Sequence, residues 1–209
     1  MRKIIALVSL VFIISACGNN KQQANDTTDT LKTDTIAKAS EFSQKDTINA
    51  VGQEVLASLA KADFAELSKY FSEDGVRFSP YGYIDTVNSK KLTAEEFIEA
   101  VNKKWVLTWG SYDGTGDPIK LNVREYLKKF VYNADYLNAE AVGYNEVMKQ
   151  GNSINNIKEI FPNHRFVDYH FSGFDQSVNG MDWTSLRLVF ENRKGEYFLV
   201  AIIHDQWTI

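Results

Sequence analysis

Apolar and polar positions divide the chain into three stretches. Ile4 to Ile14 is apolar apart from Ser9, and Arg2 and Lys3 precede it. Gly18 to about Ser43 is mostly Thr, Asp, Asn, Lys and Gln. It has too few large apolar side chains to offset the entropy of ordering, so it predicts a flexible tether. About 25 residues of coil reach roughly 25–30 Å. From about residue 44 the pattern becomes periodic. Ile48, Val51, Val55, Leu56 and Leu59 recur at helical spacing, with Asp46 or Thr47 as the expected cap. Asp63 predicts the N-cap of a second helix, with Glu66 three residues on and Phe64, Leu67, Tyr70 and Phe71 apolar.

Beyond Gly75, "VRFSPYGYIDTV" is β-leaning and broken at Pro80 and Gly82. Thr93 with Glu96 predicts a capped helix carrying Phe97, Ile98 and Val101. "WVLTW" is β-rich, "GSYDGTGDP" is a turn cluster, and Asn122 is placed to cap a helix through Phe130. Residues 140–147 predict a strand, and "INNIKEIFP" a short helix stopped by Pro162. Three strands close the chain: "RFVDYHF", "WTSLRLVFE" and "EYFLVAIIHDQWT". A type I turn over Asn192–Gly195 with a G1 bulge predicts the pairs Asn192–Glu196, Phe190–Phe198, Leu188–Val200, Leu186–Ile202 and Thr184–His204. One face of the hairpin is then apolar. The other is mixed: Trp183, Ser185, Arg187, Val189, Tyr197, Leu199, Ala201, Ile203, Asp205 and Trp207, joined by Asp168 and His170.

Charge and cysteine content narrow the partners. The formal charge is −4, with no basic run or stripe, which argues against nucleic acid. Cys17 is the only cysteine, so no internal disulfide and no cysteine-based metal site is possible. The three histidines lack a zinc-binding helical spacing. The Asp113–Asp117 loop lacks the ligand spacing of a calcium loop. No cofactor is expected.

The N-terminus carries a resemblance. A basic start, an apolar core of about ten residues that is too short to span a bilayer, and then Ile14-Ser15-Ala16-Cys17 resemble the lipobox of bacterial lipoproteins. The resemblance implies a signal peptide over 1–16, cleavage before Cys17, and acylation of its thiol. A lipidated Cys17 and tether over 17–43 would then lead to a single domain over 44–209. Loss of Arg2 and Lys3 takes the formal charge to about −6. Acyl chains rather than charge would anchor the protein, each buried methylene contributing about 0.8 kcal/mol. Gly18-Asn19 lacks the Asp that resembles an inner-membrane retention signal, which favours the outer membrane.

A second resemblance lies in element order. Two helices, "LAKADFAELSKYFSEDGVRFSP", another helix and a long C-terminal meander resemble the nuclear-transport-factor-2-like, or SnoaL-type, superfamily. That implies an α+β fold, with N-terminal helices packed on a curved antiparallel sheet to form a cone. Superfamily members include enzymes, binding modules and dimerisation domains, so fold alone does not choose among these.

Candidate chemistry centres on the last strand. His204 and Asp205 are neighbours on one strand and point to opposite faces, so they cannot pair with each other. His204 falls on the helix-covered face, where a pocket would bring it near Tyr81, Tyr83, Trp105, Trp109 and Thr184. There it is either a general base or a histidine bonded to Thr184 or backbone. The sequence assigns no catalytic residue, with His204 the one candidate. The leading expectation is a membrane-anchored envelope protein that binds a ligand or a partner; the alternative is a small isomerase or hydrolase using His204. On the mixed face, Trp183, Arg187, Asp205 and Trp207 form an aromatic patch rimmed by charge. Such a patch is rarely left in water, which predicts a homodimer or a covering loop, Ser172 to Asp182 being the nearest candidate.

Overall fold

The computed structural model of the chain describes residues 27–208, with side chains from residue 41 onward. The expected signal peptide and Cys17 lie outside the described residues. α1 (Thr27–Ala60) is the first element. It passes straight through Asp46 and Thr47, where a helix start is expected. The Thr47 hydroxyl donates back to the Ser43 carbonyl at 2.9 Å, the bond of a mid-helix threonine and not of a cap. Helix therefore stands from Thr27 where composition predicts coil. Residues from Ser40 onward form one compact unit.

The short helices form where their caps are. α2 (Phe64–Ser68) starts at Asp63, whose carboxylate accepts the Glu66 N–H. α3 (Ala94–Lys103) and α4 (Val123–Phe130) each carry a full capping box, Thr93 with Glu96 and Asn122 with Glu125. α5 (Ile157–Ile160) is a single turn.

The main sheet contains β1 (Val76–Ser79), β2 (Lys90–Leu92), β5 (Ala141–Tyr144), β6 (Arg165–Phe171), β7 (Thr184–Arg193) and β8 (Glu196–Gln206). Their order is β2-β1-β8-β7-β6-β5. The sheet is not wholly antiparallel as expected: β1 runs parallel to β8, pairing Phe78 with Ile202. A separate hairpin joins β3 (Val106–Ser111) to β4 (Pro118–Asn122). β4 is not among the expected strands, although Ile119 and Leu121 alternate as a strand requires. The architecture is α+β.

The β7–β8 hairpin turns on two residues, Lys194 and Gly195, both at positive φ (55° and 93°). That is a type I′ turn, whose twist matches the strands better than the expected type I turn with its bulge. The bulge lies further along, between Val189 and Phe190. Its extra residue restores parity, so Leu188 pairs with Ile202 and Leu186 with His204, two residues from the expected register. The shift also corrects the faces near the turn: Leu199 and Tyr197 join the helix-side core, and Val200 joins the opposite cluster.

The helix-side core holds Phe78, Leu186, Leu188, Phe190 and Ile202 against Ile48, Val55 and Leu56 of α1 and Phe97 of α3. Each such side chain contributes about 1.5–3 kcal/mol when fully buried. Gly52 lets α1 approach the sheet. A Cβ there would collide with the Tyr169 hydroxyl. A mid-helix glycine costs about 1 kcal/mol relative to alanine, and the close approach explains its use. Val189, Ala201, Ile203 and Phe166 form a smaller cluster on the other face, covered by Ile84 and Ile157.

Candidate functional site

β7 and β8 carry a polar cluster on each face. On the helix side His204 is fully buried. Its Nδ1 lies 3.0 Å from the Pro80 carbonyl, which can only accept, so Nδ1 carries the proton. Nε2 is then an acceptor, 3.1 Å from Thr184 Oγ1 and 3.2 Å from Asn133 Nδ2. The Tyr136 hydroxyl closes the network, 2.8 Å from Asn133 Oδ1 and 2.7 Å from Thr184 Oγ1. The Phe130 ring packs edge-on against the imidazole. Burial pushes the His204 pKa down to about 4, and nearby Arg187 adds to the effect against the opposing Pro80 carbonyl. This is a neutral, fully bonded histidine with no lone pair or proton left for a substrate. Of the two roles open to His204, the geometry is that of the bonded one.

The opposite face carries an ion triad. Arg187 Nε donates to Asp168 Oδ2 and Nη1 to Asp205 Oδ2, both at 2.8 Å. All three residues are buried. Burial alone would lower the Arg187 pKa, but the two carboxylates together hold it above its usual value. Asp205 is raised, because burial outweighs its share of the guanidinium. Asp168 also accepts the Met148 N–H at 3.0 Å, and Arg187 Nη2 donates to the Lys149 carbonyl at 3.0 Å. His170 shares this face, but its Nδ1 meets Ser185 and its ring lies beside Trp183. Burial lowers its pKa.

What covers this face is a loop of the chain. Residues 145–157 supply Met148 and Lys149 to the triad, and Gly151 lies against the Trp183 ring. Lys149 Nζ sits 5.4 Å from the centre of that ring. The expected cover, Ser172 to Asp182, is thus corrected to residues 145–157. The cause is polar pairing, since two backbone groups of this segment bond to the buried ions, while Asp168 Oδ1 has no partner among the described residues. Trp183, Arg187 and Asp205 are sealed and present no surface to a second copy; only Trp207 of the four remains partly exposed, at 38%.

A cleft of about 230 Å³ opens at the end of β1. Tyr81, Tyr83, Trp109 and Tyr112 give it aromatic walls, and Ser79, Ser111, Asp113, Ser153 and Thr208 line it with polar groups. Each wall is fixed by a specific bond. Ser79 Oγ donates to the carbonyls of Tyr81 and Tyr83. Gly82 is packed on Asp205 so closely that a Cβ would stand 2.6 Å from its carboxylate. The Asn156 amide bonds both backbone groups of Ile84, completing them as a neighbouring strand would. Trp109 stacks on Tyr126 at 4.0 Å and donates from Nε1 to the Leu121 carbonyl. Burial raises the Tyr81 pKa, with the Asp113 backbone N–H opposing.

The expected pocket set is therefore split. Tyr81, Tyr83 and Trp109 line the cleft. Thr184 and His204 lie outside it, within the sealed network. Trp105 stands apart, 40% exposed, with Lys103 Nζ 5.2 Å from its ring centre. Tyr112 and Asp113 are hidden in sequence because they sit in a turn cluster, and Ser153 and Thr208 because long-range approach leaves no periodic trace. Among the described residues no group of three or more His, Asp or Glu is placed to hold a metal ion. No helix among them is long and apolar enough to cross a membrane.

These features define a small α+β domain with a closed core and one aromatic side cleft. No family model matches the chain, and no curated protein matches it. Among solved structures it is similar to an NTF2-like designed protein, at 13% identity and a TM-score of 0.31, covering 77% of this chain and 98% of that one. It is also similar to a protein from Xanthomonas campestris described as a calcium/calmodulin dependent protein kinase II association domain. There the identity is 10% and the TM-score 0.30, covering 76% of this chain and 84% of the other. At those scores neither likeness bears on residue roles.

Proposed function

We propose that the protein is a lipid-anchored envelope protein whose nuclear-transport-factor-2-like domain binds a small ligand in the Tyr81–Tyr83–Tyr112 cleft, without acid–base chemistry at His204. The observation that carries this reading is the contrast between a sealed histidine and an open aromatic cleft. Ligand sites are concave and mostly apolar, with a few convergent polar groups, and drug-sized ligands occupy roughly 300–1,000 Å³. A cleft of about 230 Å³ takes something smaller, on the scale of one ring. The enzyme alternative needs a base with a free nitrogen, and both nitrogens of His204 are engaged by protein groups.

A fragment soak into crystals of the protein tests the cleft. The reading expects density between Tyr81, Tyr83 and Ser153. Fragments found only at other places on the surface would remove it. The anchor is supported by the pattern from Arg2 to Cys17. Cys17→Ser should move the protein from membrane to soluble fractions and abolish palmitate labelling. A mutant that still pellets and still carries label would overturn the anchor, and the preference for the outer membrane with it.

A further inference from the structure

The lining of the cleft points to a class of ligand, an inference that rests on the cleft being the binding site. Its charges are one-sided. None of the lining residues is Lys, Arg or His, and the two cations that touch the lining are already bonded to protein groups, Lys129 to the Tyr112 hydroxyl and Arg77 to Ser89 and the Thr86 carbonyl, so an anionic ligand would find no free cation on the wall. Both ionisable carboxylates on the wall, Asp85 and Asp113, are acids. Asp85 is already used: it accepts the Val87 and Asn88 N–H groups and the Asn88 amide. Asp113 has no such partner among the described residues.

The hydroxyls divide in the same way. Ser79 and Ser89 are bonded within the protein. Ser111, Ser153 and Thr208 have side-chain hydroxyls with no described partner, and all three residues line the cleft. A hydroxyl both donates and accepts. Three such groups beside one carboxylate match a ligand whose own groups also donate and accept, better than one that only donates. The rings divide too. Tyr112 is occupied, since Lys129 donates to its hydroxyl at 3.0 Å and sits 4.4 Å from its ring centre. Trp109 is buried against Tyr126. Tyr83 alone is open, 52% exposed and with no described hydrogen bond from its hydroxyl. It offers a flat apolar platform with a polar tip.

We infer that the cleft binds a neutral saccharide ring, the end of a glycan, stacked on Tyr83 with its hydroxyls shared among Ser111, Ser153, Thr208 and Asp113. An organic ammonium is the competing class, because aromatic rings and a carboxylate also attract cations. The free hydroxyls and the lysine already seated on Tyr112 favour the saccharide.

The test uses the full chain in lipid nanodiscs, with saturation-transfer NMR against maltotriose, cellotriose, mannotriose and chitotriose, and against tetramethylammonium and inorganic phosphate. The expected result is transfer to the ring protons of at least one trisaccharide and none to phosphate. Tyr83→Ala should abolish that signal, and Asp113→Asn should weaken binding roughly tenfold. Both positions lie on the cleft wall outside the core, and unchanged melting curves will show that the variants fold. Binding of tetramethylammonium alone would overturn the saccharide and leave a ligand cleft standing. Saccharide binding that survives Tyr83→Ala would place the site elsewhere and overturn the inference. Silence from every probe would overturn the saccharide. An empty cleft in the fragment soak, a separate observation, would remove the binding reading beneath it.

Discussion

His204 and Arg187 sit on opposite faces of the same hairpin, and the chain seals them by different means. His204 is sealed as a neutral group: one nitrogen donates to a carbonyl, the other accepts from Thr184 and Asn133, and no charge is buried. Arg187 is sealed as an ion, shared by Asp168 and Asp205 with a backbone carbonyl on its third nitrogen. A neutral network costs little to bury once every member is bonded. An ionic one costs several kcal/mol per ion in desolvation, which its pairing must offset. The two clusters should therefore respond differently to loss of one partner and to pH.

Loss of a partner separates them most. Arg187→Ala leaves two uncompensated carboxylates under residues 145–157 and should cost about 3–5 kcal/mol, seen as a lower urea midpoint. Replacing all three charged residues together, as Asp168→Leu, Arg187→Met and Asp205→Leu, should cost less, because no charge is left unpaired and what remains is the loss of partners for the Met148 N–H and the Lys149 carbonyl. A triple variant as unstable as Arg187→Ala would mean that the bonds to the Met148 and Lys149 backbone outweigh the cost of the unpaired charge.

Acid is the next lever. The folded-state pKa of His204, about 4, lies below its unfolded value of about 6.5. Folding thus favours the neutral form. That stability is complete above about pH 6.5 and is lost as pH falls towards 4, by about 3 kcal/mol. Asp205 works in the opposite sense: its folded pKa is raised, so protonation at low pH relieves the triad. Comparing urea midpoints from pH 7 to pH 4 in the wild type and in His204→Gln isolates the histidine. The expected difference is a steeper fall in the wild type; equal slopes would mean that His204 does not titrate with folding.

A smaller effect follows from Thr184→Val. It removes a hydroxyl that His204 and Tyr136 share, and should cost about 1–2 kcal/mol. Smallest of all is Tyr83→Ala, which touches neither cluster. Its stability should stay within about 0.5 kcal/mol of wild type, and a larger loss by calorimetry would show the cleft wall to be part of the core.

The α+β class and most helix starts are legible in sequence, because capping boxes and apolar periodicity are local. Thr93 with Glu96 and Asn122 with Glu125 fall where expected. Alternation also places His204 and Asp205 on opposite faces, since both lie on the same side of the bulge. What is not legible depends on distant segments. The Lys194–Gly195 turn needs an αL lysine, which composition does not announce. Asp168, His170 and Arg187 pattern as a half-solvated face, yet residues 145–157 bury them. That segment has no periodicity, and its bonds to the triad run through the backbone of Met148 and Lys149, where residue identity leaves no mark. Half of the cleft was hidden for the same reason.

The reading of function outside the core depends on the state of His204. A ¹⁵N NMR titration of the histidine side chains measures it directly. The structure requires a proton on Nδ1, an unprotonated Nε2, slow exchange with solvent, and a midpoint near 4. A midpoint close to 6.5 with rapid exchange would mean that His204 meets water, and would return the helix-side core to consideration as a catalytic site.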